Sequence, residues 1–334
     1  MTDSVECTMP ETVNIVVTCT NRKAHDVSPS LRLRNVGGGT PRQRFDAWVE
    51  ELTESGAAQV CARDLYQGDH WKVALELPEL VEEKGHRARL WVCSAGYGLI
   101  PASAHIRPYA ATFSPGHRDS VEKTDSNCSI APSRWWEMLG QWEGPVRETP
   151  RSLEQLVVQN PEQPVVLVGS NVYLQAVWID LIEAIGEVRD PDRFLVICAG
   201  ASSTPKIEEY LAPADARLQS LVGGAMQSIN VRIARLAFDW VTELRFSAEK
   251  LRDRLAVELA KQPKRTRYER QQLTDEEVKT FIRQQLEADP TQKKTPLLRI
   301  LRDREQCACE QGRFSALYGE VKDEQASPQS GLEL

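Results

Sequence analysis

Four short apolar runs punctuate the first two hundred residues, at 13–18, 89–93, 164–169 and 194–199. Each is rich in β-branched residues, ends in small or polar ones and lacks the alternation of a half-wetted strand. That is the pattern of strands buried on both faces. Helical segments lie between them at 41–54, 70–84, 152–159 and 171–185, the first with Thr40 as N-cap and Pro41 at its first helical position. Strands alternating with helices imply an α/β domain on a central, mostly parallel sheet of about four strands flanked by helices. Ligands of such sheets bind at the carboxyl ends of the strands. The loops at 18–23, 94–99, 169–173 and 199–205 are therefore where function is sought.

A polar stretch at 117–148 separates the second and third runs. A loop of that length is a functional insertion or is disordered, and Trp135, Trp136 and Trp142 argue for ordered packing. Between 225 and 259, Ile229, Ile233, Leu236, Trp240 and Leu244 form one apolar helical face. Residues 261–270 then carry five basic side chains against one acidic, including Lys264, Arg265 and Arg267. The capping box Thr274-Asp-Glu-Glu277 opens a helix through Leu286, and further helices are expected at 297–304 and 310–321. The chain divides into an α/β catalytic-type domain (1–260), a basic linker (261–272), a small all-α module (273–322) and a flexible tail (323–334). The last two helices of the module resemble a helix-turn-helix pair, in which Gln311, Arg313 and Ser315 reach a DNA groove; a helical cap on the main domain is the alternative.

Lys and Arg number 41 against 48 Asp and Glu, a net charge of −7 over 334 residues. This excludes a uniformly basic nucleic-acid coat and leaves room for a local basic patch. No apolar run approaches the roughly 20 residues that span a bilayer, and the acidic N-terminus does not read as a signal peptide. A cytoplasmic chain with no membrane partner is expected. The eight cysteines show no disulfide framework, and Cys307-Ala308-Cys309 has no second pair or nearby histidine. Neither a metal nor a cofactor is expected.

Several segments at the strand ends carry chemistry. Thr20-Asn21-Arg22-Lys23 follows the first strand and offers an amide and two cations to a phosphate or base edge, although polar residues there are ordinary. The glycine-rich segment before the first helix, with Gly38, Thr40, Arg42 and Arg44, favours an anion at a helix N-terminus. It lacks the lysine and spacing of a P-loop. Ser94-Ala-Gly-Tyr97-Gly-Leu99 lets backbone approach a ligand while Tyr97 offers a stacking face, and Tyr109 follows a rigid proline. Packing is the plainer role for both tyrosines. Among the five histidines, His117 is the best placed as an acid or base.

In combination, Cys61-Ala-Arg-Asp64-Leu-Tyr66, Ser94-Ala-Gly96-Tyr97-Gly-Leu99 and Arg107-Pro-Tyr109 resemble the YaaA-like domains of unknown function, over about residues 13–240. Gly96 stands where that pattern usually has lysine. Strand order and loop placement are also similar to the uracil-DNA-glycosylase superfamily, although its "H-P-S-P" text is absent. The resemblance implies that Asn21 lies at the water-positioning place and that Ser202 and Ser203 sit in a small-residue loop against phosphates. It further implies a DNA glycosylase that removes a modified base, in antiphage defence. A cleaved N-glycosidic bond needs a held water, donors for the leaving base and a pocket for a flipped nucleotide. On this reading Asn21 and Asp64 are catalytic. Thr20, Tyr66, Ser94, Tyr97 and Tyr109 line the base pocket. Arg22, Lys23, Gly38, Thr40, Arg42, Arg44, Ser202, Ser203, Lys264, Arg265, Arg267 and Arg313 contact double-stranded DNA. The alternatives are a non-catalytic DNA-binding or stress-protection protein and a nucleoside or base transferase acting on small molecules.

Overall fold

A computed structural model describes residues 10–37, 39–122, 130–242, 245–263 and 271–326. The chain forms two compact units, 1–263 and 264–334. In the first unit, strand β1 (Thr12–Thr18) leads to helix α1 (Pro41–Glu54), β2 (Val60–Cys61), α2 (Ala62–Leu65), α3 (Asp69–Glu82), β3 (Arg87–Ser94), β4 (Gly98–Pro101) and β5 (His105–Ile106). There follow α4 (Pro132–Gln141), α5 (Leu153–Gln159), β6 (Val165–Val168), α6 (Asn171–Ala176), α7 (Trp178–Glu187), β7 (Phe194–Ile197), α8 (Gln219–Val222), α9 (Ile229–Phe238) and α10 (Ala248–Lys261).

The main sheet has five strands in the order β4-β3-β1-β6-β7. Four of them are parallel, with Val16 level with Trp91 and Leu167, and the fifth, β4, returns antiparallel from β3. The chain is thus a mixed α/β protein with a mostly parallel central sheet flanked by helices. The four apolar runs are the four parallel strands, and Val13, Ile15, Val16 and Val17 are all buried. Asn14 is the exception within β1. Its carboxamide is satisfied at both ends, donating to Gln163 Oε1 (3.0 Å) and accepting from Trp91 Nε1 (3.0 Å). The strand step from β1 to β3 runs opposite to that from β6 to β7. Right-handed crossovers therefore put the connecting helices on opposite faces of the sheet.

Thr40 caps α1, closing a reciprocal capping box with Gln43. The stretch after residue 129 is ordered: Trp135 and Trp136 on α4 are buried, and Trp135 Nε1 donates to Ala95 O (2.8 Å). The expected helix over 171–185 is two helices, broken at Val177.

The second unit contains β8 (Gln271–Gln272), α11 (Asp275–Ala288), α12 (Lys294–Asp303), β9 (Cys307–Ala308) and α13 (Gln311–Ala326). Its core joins Val278, Ile282, Leu286, Leu297, Leu301, Phe314 and Val321. Cys307 and Cys309 are buried against that core, and burial pushes the Cys309 thiol up. They act there as small hydrophobes. Among the described residues no helix is long and apolar enough to cross a membrane.

Candidate functional site

The loop after β1 returns in extended form beside the segment that precedes α3. Lys23 and Tyr66 form an antiparallel bridge, with Ala24 N donating to Leu65 O (2.8 Å) and Gln67 N to Arg22 O (3.0 Å). Successive side chains of an extended segment point to opposite sides. Asn21 and Lys23 accordingly line one cavity and Arg22 lines another.

The first cavity has a volume of about 470 Å3. Its second wall is built by a similar device. Leu33 N donates to Ala110 O (2.9 Å) and Ala110 N to Leu31 O (2.8 Å), which pairs the extended Arg32 with Ala110 just before a short 3-10 turn at Leu33–Asn35. Leu31 and Leu33 are buried in the core, and Arg32 and Arg34 line the cavity. A third wall is the turn at 112–121, closed by Thr112 N to Asp119 O (3.0 Å) and Val121 N to Thr112 O (3.0 Å), which presents His117, Arg118 and Asp119. The buried Asp119 carboxylate accepts Arg34 N (3.3 Å) and pairs with its guanidinium (3.5 Å). His117 Nδ1 accepts the Asp119 amide (3.1 Å), so the neutral ring carries its proton on Nε2. Asp26 and His25 complete the lining. Lys23, Arg32, Arg34 and Arg118 face Asp26 and Asp119, a local excess of positive charge in a chain that is negative overall.

Lys23 is the least ordinary group here. Its ammonium lies 4.9 Å from the ring centre of Tyr66 and 4.7 Å from that of Tyr109, and donates to Thr20 O. Burial lowers its pKa from 10.5 to about 8. Beneath it the tyrosines form a closed hydrogen-bonded floor. Tyr66 and Tyr109 hydroxyls are 3.1 Å apart, and Tyr109 also shares a bond with Ser94 Oγ (2.7 Å), which in turn accepts the amides of Gly96 and Tyr97. Burial holds all three tyrosine hydroxyls above their ordinary pKa.

Several expectations change on this geometry. Asn21 and Asp64 do not share a cleft: Asp64 is exposed and lines the other cavity, of about 600 Å3, with Arg22, Arg63, Gln67 and Lys72. Tyr97 and Tyr109 are buried and packed edge-on against each other (5.2 Å), so neither offers a free face to a base. Ser94 is likewise saturated. Tyr66 reaches the second cavity only as part of its floor. Thr20 Oγ1 is turned to Arg22 O (2.9 Å). Arg44 is buried and donates to Val121 O (2.7 Å) and Ser120 O (3.3 Å), which makes it a core clamp rather than a surface contact for DNA. Thr40 serves its own helix as cap, and the exposed Arg42 pairs with Asp46 (2.9 Å). Ser202 and Ser203 are exposed on the loop after β7, outside both cavities. In the second unit Arg313 is committed to Asp275 (2.6 Å) and Leu273 O (2.8 Å). Gly38, Lys264, Arg265 and Arg267 lie outside the described residues.

Sequence reasoning passed over Asp26, Arg32 and Arg34. The signal was a pair of basic residues, Arg32 and Arg34, interleaved with the apolar Leu31 and Leu33, although the segment is a bridge residue followed by a 3-10 turn and not a strand. Among the described residues no cluster of three or more His, Cys, Asp or Glu side chains is arranged to hold a metal ion. Set against known protein families, curated proteins and solved structures, the chain matches none of them.

Proposed function

We propose that the chain is a DNA glycosylase that hydrolyses the N-glycosidic bond of a modified base, with its site in the cavity walled by Asn21, Arg34 and His117. The observation that carries this reading is that hollow itself. It is of nucleotide size, lies beyond the carboxyl end of β1 and concentrates positive charge in an acidic chain. The parallel strands run second-first-third-fourth, with a long loop after the first, which supports the likeness to the uracil-DNA-glycosylase superfamily. The antiphage role rests on the YaaA-like motifs alone.

In this mechanism the flipped nucleotide enters with its phosphates toward Arg32, Arg34 and Arg118. The Asn21 carboxamide orients a water at C1′, and the Asp26 carboxylate stabilises the oxocarbenium-like sugar. The neutral His117 ring donates a hydrogen bond from Nε2–H to the departing base anion, which takes its proton from the attacking water. The second unit gives a further phosphate contact, through a hollow of about 590 Å3 lined by Lys294, Arg299, Gln311 and Ser315.

The test is incubation of the full chain with duplexes carrying different base modifications, reading free base by chromatography and abasic sites by alkaline cleavage. Release from at least one duplex is expected, with a loss of about 10²-fold or more in Asn21→Ala. Asp64→Ala keeps its activity, because Asp64 faces the other hollow. Intact DNA across the panel, with the duplex bound, would favour a purely DNA-binding role.

A further inference from the structure

We propose that the Lys23 amine is a covalent nucleophile toward the C1′ aldehyde of an abasic deoxyribose, so that the protein nicks DNA at abasic sites. This rests on the reading that the cavity takes a DNA sugar. It adds a residue and a reaction which that reading does not require.

The geometry is that of a lysine held for chemistry rather than for charge pairing. Lys23 is fixed by the bridge to Tyr66 and lines the cavity beside Asn21. Among the described residues no carboxylate pairs with it, whereas Lys261 and Lys279 each find one. Its partners are two aromatic faces, one carbonyl and the nearby Cys19 thiol, whose interaction with the amine opposes the effect of burial. A desolvated lysine over apolar surface is the usual means of raising an amine's nucleophilicity. A pKa near 8 leaves about a tenth of the amine neutral at pH 7, roughly 300-fold more than an ordinary lysine.

The reaction balances without a cofactor. The neutral amine adds to the open-chain aldehyde, forming the N–C1′ bond, and the carbonyl oxygen departs as water after taking up protons. The product is a protonated imine. This imine acidifies C2′, whose proton passes to solvent. The C3′–O bond then breaks, its electron pair leaving on the 3′ phosphate. Water hydrolyses the imine and returns the lysine.

The experiment uses the full chain and a duplex with one abasic site, with and without sodium cyanoborohydride, which reduces an imine to a stable amine. A protein–DNA adduct mapping to Lys23 by peptide mass is expected, together with nicking in the absence of reductant. Lys23→Gln and Lys23→Arg lose both by at least about twentyfold, while Lys72→Gln in the neighbouring hollow retains them. In the unaltered chain the trapping rate climbs with pH and levels near pH 8, a readout that needs no variant to fold. No adduct, an adduct mapping elsewhere, one that survives Lys23→Gln, or a flat pH profile overturns the proposal. Free base released from modified duplexes without any adduct would overturn it while leaving the glycosylase reading standing. An adduct at Lys23 without base release would do the reverse.

Discussion

Single residues decide what each hollow can hold. Lys23 carries a burial cost whenever it is charged. Its pKa is lowered from 10.5 to about 8, so between about pH 8 and 10.5 the unfolded chain binds more protons than the folded one. This group therefore makes stability rise with pH across that window, and below pH 8 its penalty is complete. Lys23→Met should stabilise the fold by about 1–3 kcal/mol at pH 7, with the gain over the unaltered chain fading by about pH 10.5. Paired urea titrations across pH check this. Gly96 leaves no room for a side chain. A Cβ there would lie 2.4 Å from two carbons of the Tyr109 ring. Any larger residue requires Tyr109 to move. Gly96→Ala should cost about 1–3 kcal/mol by overpacking, measured by chemical denaturation.

Elements are held by a few buried polar anchors. Arg151 is buried and gives its guanidinium to carbonyls alone: Trp142 O (3.1 Å), Leu99 O (2.5 Å), Leu139 O (3.4 Å) and Tyr97 O. It ties the β3–β4 hairpin to α4, and burial lowers its pKa to about 10. Arg151→Ala leaves those carbonyls without their donor and should cost about 3–5 kcal/mol, seen as a fall in the urea midpoint. Much at this scale was legible in the sequence. The four parallel strands announce themselves as short apolar runs, and Thr40-Pro41 marks the start of α1. Strand β4 was not legible. Its first two residues, Gly98 and Leu99, belong to the Ser94–Leu99 motif, and all four are a strand only through pairing with β3. Nor was the placing of Asn21 and Asp64 in different hollows. That depends on the pairing of Lys23 with Tyr66, 43 residues apart in sequence and set by tertiary structure. The tyrosines read as stacking faces because composition marks an aromatic and not its burial.

At the scale of the whole molecule, the proposed glycosylase function requires a chain of net charge −7 to engage a polyanion. On the glycosylase reading the positive charge is local: Lys23, Arg32, Arg34 and Arg118 in the first unit, Lys294 and Arg299 in the second. Lys294→Glu with Arg299→Glu should weaken duplex binding uniformly across sequences and make the salt dependence shallower by about two phosphate contacts, as read by anisotropy over a salt series. Unchanged affinity and slope would remove the second unit from the interface.

The partition between the two hollows is a single extended strip of chain in which Asn21, Arg22 and Lys23 alternate. Neighbouring positions in such a strip cannot be perturbed independently, so a change at Arg22 meant for one compartment is felt in the other. Effects of Asn21 and Arg22 replacements should therefore fail to add, and only a double-variant cycle can apportion them.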